Sequence, residues 1–279
     1  MDSIKPQEIV SNLIEIGAKK SKLSAKDILI RSILSGSLLG FATVLAFLTT
    51  IQSGSGVLGS LAFPVGFAII VILGFELVTG NFAIIPMAVM AKETKMKNLA
   101  HNWFFATLGN LIGSLLFGGL FFIYITKMGK TFDLDIIDKI ISVAESKTLA
   151  YKELGNKGFI VVFVKAVLCN WMVTLGIVMG YVSTSTIGRI VALWLPIFIF
   201  FALGLEHCVV NMFVIPTSIL FNANITIGDW WIWNQIPAII GNIVGGFVFT
   251  GLFLYLTYYK KENAAQSNKP VLEQPINHK

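Results

Sequence analysis

Two stretches of this 279-residue chain carry a glutamate and an asparagine inside otherwise apolar sequence, at identical spacing. Residues 74–86 read GFELVTGNFAIIP and residues 204–216 read GLEHCVVNMFVIP. Both fit Gly-x-Glu-x4-Asn-x4-Pro, so Gly74, Glu76, Asn81 and Pro86 answer Gly204, Glu206, Asn211 and Pro216. His207 directly follows Glu206, and Thr79 lies in the matching stretch. An imidazole in apolar surroundings can donate a hydrogen bond to an anion or exchange a proton with a weak acid. A threonine hydroxyl can donate without adding charge. Metal chemistry has no such footing: the three histidines His101, His207 and His278 show no HxxxH pattern, and no CxxC occurs. Neither a Walker A loop, a dinucleotide glycine fingerprint nor a GxSxG elbow is present, which argues against an ATP-driven pump, a cofactor enzyme and a serine hydrolase. No cofactor is expected.

The elements that must hold these residues follow from composition. The chain is 55% hydrophobic and 13% charged, too few charges to cover a soluble surface. Its apolar runs predict an all-α membrane protein with six spans, at about 28–50, 57–91, 99–126, 158–182, 187–220 and 232–258. The second and fifth runs exceed one simple span, and each contains one of the two motifs. Glycine, asparagine and proline all weaken a helix, so a break is expected in each. A second matched pair, GNLIG at 109–113 and GNIVG at 241–245, completes two three-helix halves at about 28–126 and 158–258. Three crossings per half make this an inverted repeat.

Backbone freed in mid-membrane persists only inside protein or beside water, so the breaks are expected to line a solute pathway. Asn81 and Asn211 belong to the breaks themselves. Glu76 and Glu206, each costing about 2.5–3.5 kcal/mol in lipid, are expected to be structural, bonding the free backbone amides of the broken helices.

Lysine and arginine gather in the termini and the short loops near 92–97 and 189, which predicts cytoplasmic termini. The net charge of +6 therefore reads as membrane topology, and no nucleic-acid partner is expected. Residues 1–27 lack an early apolar core, so no cleavable signal is read, and Ile9, Leu13, Ile14 and Ile16 suggest an amphipathic helix on the inner surface. The polar tail at 259–279 is expected to be disordered. Cys169 and Cys208 fall inside apolar runs and read as small buried residues.

GLEHCVVNM resembles the Glu-His-x3-Asn-Met signature of the formate/nitrite transporter family. GFELVTGN resembles the loop that interrupts the family's second helix, while LCNW at 168–171 and NWFFATLGNLIG at 102–113 are similar to other family stretches. The resemblance runs from about residue 25 to 258. It implies a channel, not an enzyme, for small monovalent anions of weak acids, formate or nitrite foremost. Hydrosulfide, acetate or lactate pores of the same family and a proton-coupled transporter stay open as alternatives. It further implies a homopentamer of aquaporin-like protomers, each with its own pore, although the paired Asn-Pro-Ala motifs of water channels are absent. His207 and Thr79 would form a polar centre between apolar constrictions, the inner one carried by Phe63, Phe67 and Phe200, with Phe67 standing where a smaller aliphatic residue is common. The family's vestibule lysine carries over to Lys147. Lys152 and Lys157 remain alternatives, because about seven extra residues separate Lys147 from LCNW.

Overall fold

The computed structural model describes residues 4–259, so the expectation for the tail lies outside the described residues except at Tyr259. Every element among them is a helix. In chain order they are α1 (Pro6–Ser21), α2 (Ala25–Ser53), α3 (Gly56–Ile72), α4 (Val78–Met90), α5 (Met96–Ile125) and α6 (Asp135–Ser146). There follow α7 (Leu149–Glu153), α8 (Asn156–Val182), α9 (Thr186–Ala202), α10 (Cys208–Leu220) and α11 (Ile227–Tyr258). Four of these, α2, α5, α8 and α11, are long and apolar enough to cross a membrane, while α3, α4, α9 and α10 are shorter apolar helices. Two π-helical turns, Trp231–Gln235 and Phe247–Leu252, interrupt α11. Pro237, which has no N–H to give, lies two residues beyond the end of the first.

Helices α3 and α9 both stop at a glycine in left-handed geometry, Gly74 at φ 67° and Gly204 at φ 58°. The next amide reaches back to close the end, Phe75 N–H donating to the Ile70 carbonyl at 3.0 Å and Leu205 N–H to Phe200 at 3.2 Å. Extended backbone at Leu77 and at His207 then leads into α4 and α10. The prolines are not what breaks the chain: Pro86 and Pro216 sit inside α4 and α10. A Gly204→Ala substitution meets open space but an unfavourable φ, so it should destabilise by about 1–2 kcal/mol. A lowered unfolding midpoint in detergent would register this, and an unchanged midpoint would refute it.

The small residues of GNLIG and GNIVG let long helices touch along their backbones. Gly113 of α5 packs on the Ile33 carbonyl of α2, and Gly245 of α11 packs on the Val167 carbonyl of α8. Helix α1 lies on α4 and buries Ile9, Val10, Leu13 and Ile14, and α6 lies on α10 in the same manner. One element has no counterpart. Residues 22–24 alone join α1 to α2, whereas the link from α6 to α8 contains α7.

Candidate functional site

Each broken segment is held by a buried asparagine from the following long helix. Asn110 Oδ1 accepts from the Val78 amide at 3.0 Å, and its Nδ2 donates to the Glu76 carbonyl at 3.1 Å. Asn242 repeats this, with the Cys208 amide at 2.9 Å and the Glu206 carbonyl at 2.9 Å. The asparagines of the GN pairs thus satisfy the backbone freed by the breaks, a role the sequence reading had given to the glutamates. That role fell to them because an amide side chain both donates and accepts, whereas an ionised carboxylate can only accept.

The glutamate side chains turn instead to lysines. Glu76 Oε1 accepts from Lys20 Nζ at 2.6 Å, and its Oε2 from Asn81 at 2.7 Å and Asn102 at 3.4 Å. Glu206 Oε2 accepts from Lys147 Nζ at 2.9 Å, Asn211 at 2.8 Å and Asn234 at 3.1 Å. Even the outer contacts agree, since Asn102 donates to the Lys20 carbonyl and Asn234 to the Lys147 carbonyl. Both carboxylates are fully enclosed, so each charge is offset by its lysine rather than by water. Glu206 has further partners on Oε1: Tyr151 donates at 2.8 Å and Lys165 lies at 3.7 Å. Burial, and then the Glu206 charge, push the Tyr151 phenol far above its usual range, so it keeps its proton as a donor.

Between the two cages, Thr79 and His207 meet. Thr79 Oγ1 lies 3.2 Å from His207 Nε2, and both residues are buried. The Val210 amide donates to His207 Nδ1 at 3.2 Å, capping α10. With Nδ1 accepting, a neutral ring carries its proton on Nε2 and donates to Thr79. The threonine hydroxyl proton is then free to point at a passing solute. This pair is not related by the repeat: His207 answers Leu77, and Thr79 answers Val209. The Phe200 ring stacks on His207 with centroids 5.6 Å apart, and Phe63 packs edge-on against Phe200 at 5.5 Å.

Two cavities lie near this centre, one lined by His207 and the other by Leu77 and Gly80 on either side of Thr79. One, of about 460 Å³, is lined by Phe47, Thr50, Lys139, Lys147, Phe200 and His207 among others. The second, of about 40 Å³, is lined by Lys20, Phe67, Gly74, Leu77, Gly80 and Tyr181 among others. Phe63 and Phe200 therefore cluster beside His207, while Phe67 faces the cavity on the Lys20 side. Of the three candidate lysines Lys147 lines the larger of these two cavities, whereas Lys152 pairs with Asp229 at 2.8 Å and Lys157 is exposed. Sequence reasoning passed over Lys20, Asn102, Asn234, Tyr151 and Lys165. Asn102 and Asn234 carried a signal, since each follows its motif asparagine by 21 or 23 residues beside a tryptophan.

The pattern has relatives. The profile of the formate/nitrite transporter family matches residues 7–256. The formate channel BtFdhC of Bacillus thuringiensis is 31% identical over 266 residues, covering 93% of this chain and 97% of its own. YrhG, an uncharacterised transporter of Bacillus subtilis strain 168, is 37% identical over 273 residues, covering 96% and 98%. Among solved structures, a pentameric formate channel with formate bound aligns at a TM-score of 0.69 and 26% identity, over 84% of this chain and 97% of that one. An ion channel of the same family shares the fold at a TM-score of 0.76 and 24% identity, over 89% and 98%. The chain is a channel or transporter and not an enzyme, and it belongs to the formate/nitrite transporter family.

Proposed function

We propose that the chain is a membrane channel for small monovalent anions of weak acids, formate or nitrite foremost, working as a homopentamer in which each protomer has its own pore. The pairs α3–α4 and α9–α10 each make one broken crossing, which with α2, α5, α8 and α11 gives six crossings in two inverted halves. Residues 28–258 form the channel domain, residues 1–27 its N-terminal segment, and both termini are cytoplasmic, in keeping with the loop lysines. The Lys147 cavity then opens outward and the Lys20 cavity inward.

The observation that carries this reading is the Thr79–His207 contact, with His207 lining the Lys147 cavity and Leu77 and Gly80, on either side of Thr79, lining the Lys20 cavity. An anion pays heavily for shedding water, and a fixed cation at the mouth offsets part of that cost. Inside the apolar rings around Phe63, Phe67 and Phe200, the low dielectric raises the solute's own pKa, so the neutral acid comes within reach. A hydrogen bond from Thr79 or His207 meets it there. The buried Glu76 charge is compensated by Lys20, so that cage shapes the pore without trapping the solute.

Reconstituted liposomes test this directly, with formate, nitrite, hydrosulfide and lactate competing for flux. Formate or nitrite flux outrunning the others supports the assignment, hydrosulfide or lactate prevailing replaces the anion, and no flux with any of them removes the reading. Current without a proton gradient separates a channel from proton-coupled transport.

A further inference from the structure

We propose that Lys165, held in place by Tyr151, is a positioning residue that leaves the Lys147 cavity with an uncancelled positive charge and makes it the capturing mouth for small carboxylate anions. The inference rests on the channel reading above and assigns the two mouths different work.

The cages match in their lysine–glutamate and asparagine–glutamate contacts yet differ in charge. Glu76 meets one cation among the described residues, Lys20. Glu206 meets two, Lys147 at 2.9 Å and Lys165 at 3.7 Å. One lysine is enough to neutralise one carboxylate, so the second leaves the Glu206 cage one charge positive. In low dielectric such a charge is felt over the whole of the adjoining cavity, which Lys147 lines and Lys139 also borders.

The repeat shows how unusual this lysine is. Asn110 donates to the Ser32 carbonyl just as Asn242 donates to that of Ala166, so Ser32 answers Ala166 and Arg31 answers Lys165. Arg31 is exposed and forms no ion pair among the described residues. Lys165 is half-buried well inside α8, where an ammonium costs about 2.5–3.5 kcal/mol on insertion scales.

Tyr151 is what draws it inward. Lys165 Nζ donates to the Tyr151 hydroxyl at 3.0 Å, and that hydroxyl donates to Glu206 at 2.8 Å. Tyr151 belongs to α7, the element missing from the first half. Helix α7 is fixed from two sides, by Gly158 packed on the Tyr151 carbonyl and by Lys152 paired with Asp229. The extra residues between Lys147 and LCNW are thus spent on delivering one hydroxyl to one buried lysine.

Full-length protein in liposomes provides the test, with formate flux measured at low and high ionic strength. Lys165→Met should raise the KM for formate about three- to tenfold at low salt, keep maximal flux within about twofold, and lose its effect when screened. Lys165→Arg should restore the wild-type KM, and Tyr151→Phe, which frees the ammonium to swing away, should give an intermediate KM. A Lys165→Met variant with the wild-type KM at low salt overturns the proposal. So does a loss of maximal flux that is independent of salt and shared by Lys165→Arg, since that marks a packing role. If Lys165→Met does not assemble, an unchanged KM in Tyr151→Phe overturns it equally. Wild-type vesicles without flux of formate, nitrite, hydrosulfide or lactate would remove the channel reading itself, whereas wild-type flux with an unchanged variant removes only this inference.

Discussion

Glu206→Gln is expected to unfold or fail to assemble in detergent, losing about 3–5 kcal/mol, while Glu76→Gln loses distinctly less. The carboxylate of Glu206 is fully enclosed and answers two ammonium groups, Lys147 with only 14% of its side chain exposed and Lys165 with 32%. Neutralising it leaves two cations facing each other around an amide. Glu76 answers Lys20 alone, whose chain ends on the surface helix α1 and has 19% exposure through which to reach water. Unfolding midpoints by size exclusion after heating would measure the gap. Equal losses in the two variants would show that the second cation adds nothing to the Glu206 cage.

The second large effect concerns conduction. His207→Phe keeps the aromatic stack on Phe200 but removes both ring nitrogens, and with them the Thr79 contact and the Val210 cap. The lost cap costs about 1 kcal/mol of stability, which a packed membrane protein survives. A hydrogen bond to a charged solute is worth about 1.5–3 kcal/mol, so anion flux should fall about tenfold to a hundredfold. His207→Asn keeps a capping side chain and an amide donor without a titratable ring, so part of the flux should remain with a flatter pH profile. Were His207 merely a packing residue, both variants would lose assembly together. A His207→Phe protein that assembles and conducts as the wild type does would end the central-histidine mechanism.

The two variants also mark where sequence was legible. The matched motifs could be seen because the sequence writes them twice at fixed spacing: Glu76 with Glu206, Asn81 with Asn211, Gly74 with Gly204. Asn81 and Asn211, expected at the breaks, lie in the first turns of α4 and α10. The long apolar runs gave α2, α5, α8 and α11 within a few residues. Partners remote in the chain left no such trace. Lys20 precedes Glu76 by 56 residues and Tyr151 precedes Glu206 by 55, and nothing in either neighbourhood announces the pairing. The glutamates looked like caps for broken helices because a carboxylate is a strong acceptor. The asparagines of GNLIG and GNIVG stand in the sequence only as a matched pair, and it is they that bond the backbone at Val78 and Cys208. Resemblance groups Phe63, Phe67 and Phe200 at one inner constriction, but Phe67 borders the Lys20 cavity while Phe200 borders the Lys147 cavity and packs against Phe63.

The Thr79–His207 contact and both lysine–glutamate cages are each formed within one chain. Subunits that hold this contact and these cages within themselves should act as independent conductors. An assembly in which some copies carry His207→Phe would then lose throughput in direct proportion to their number, with no dominance of the defective copies over the intact ones. In a cell expressing both alleles, half the subunits would still carry half the traffic.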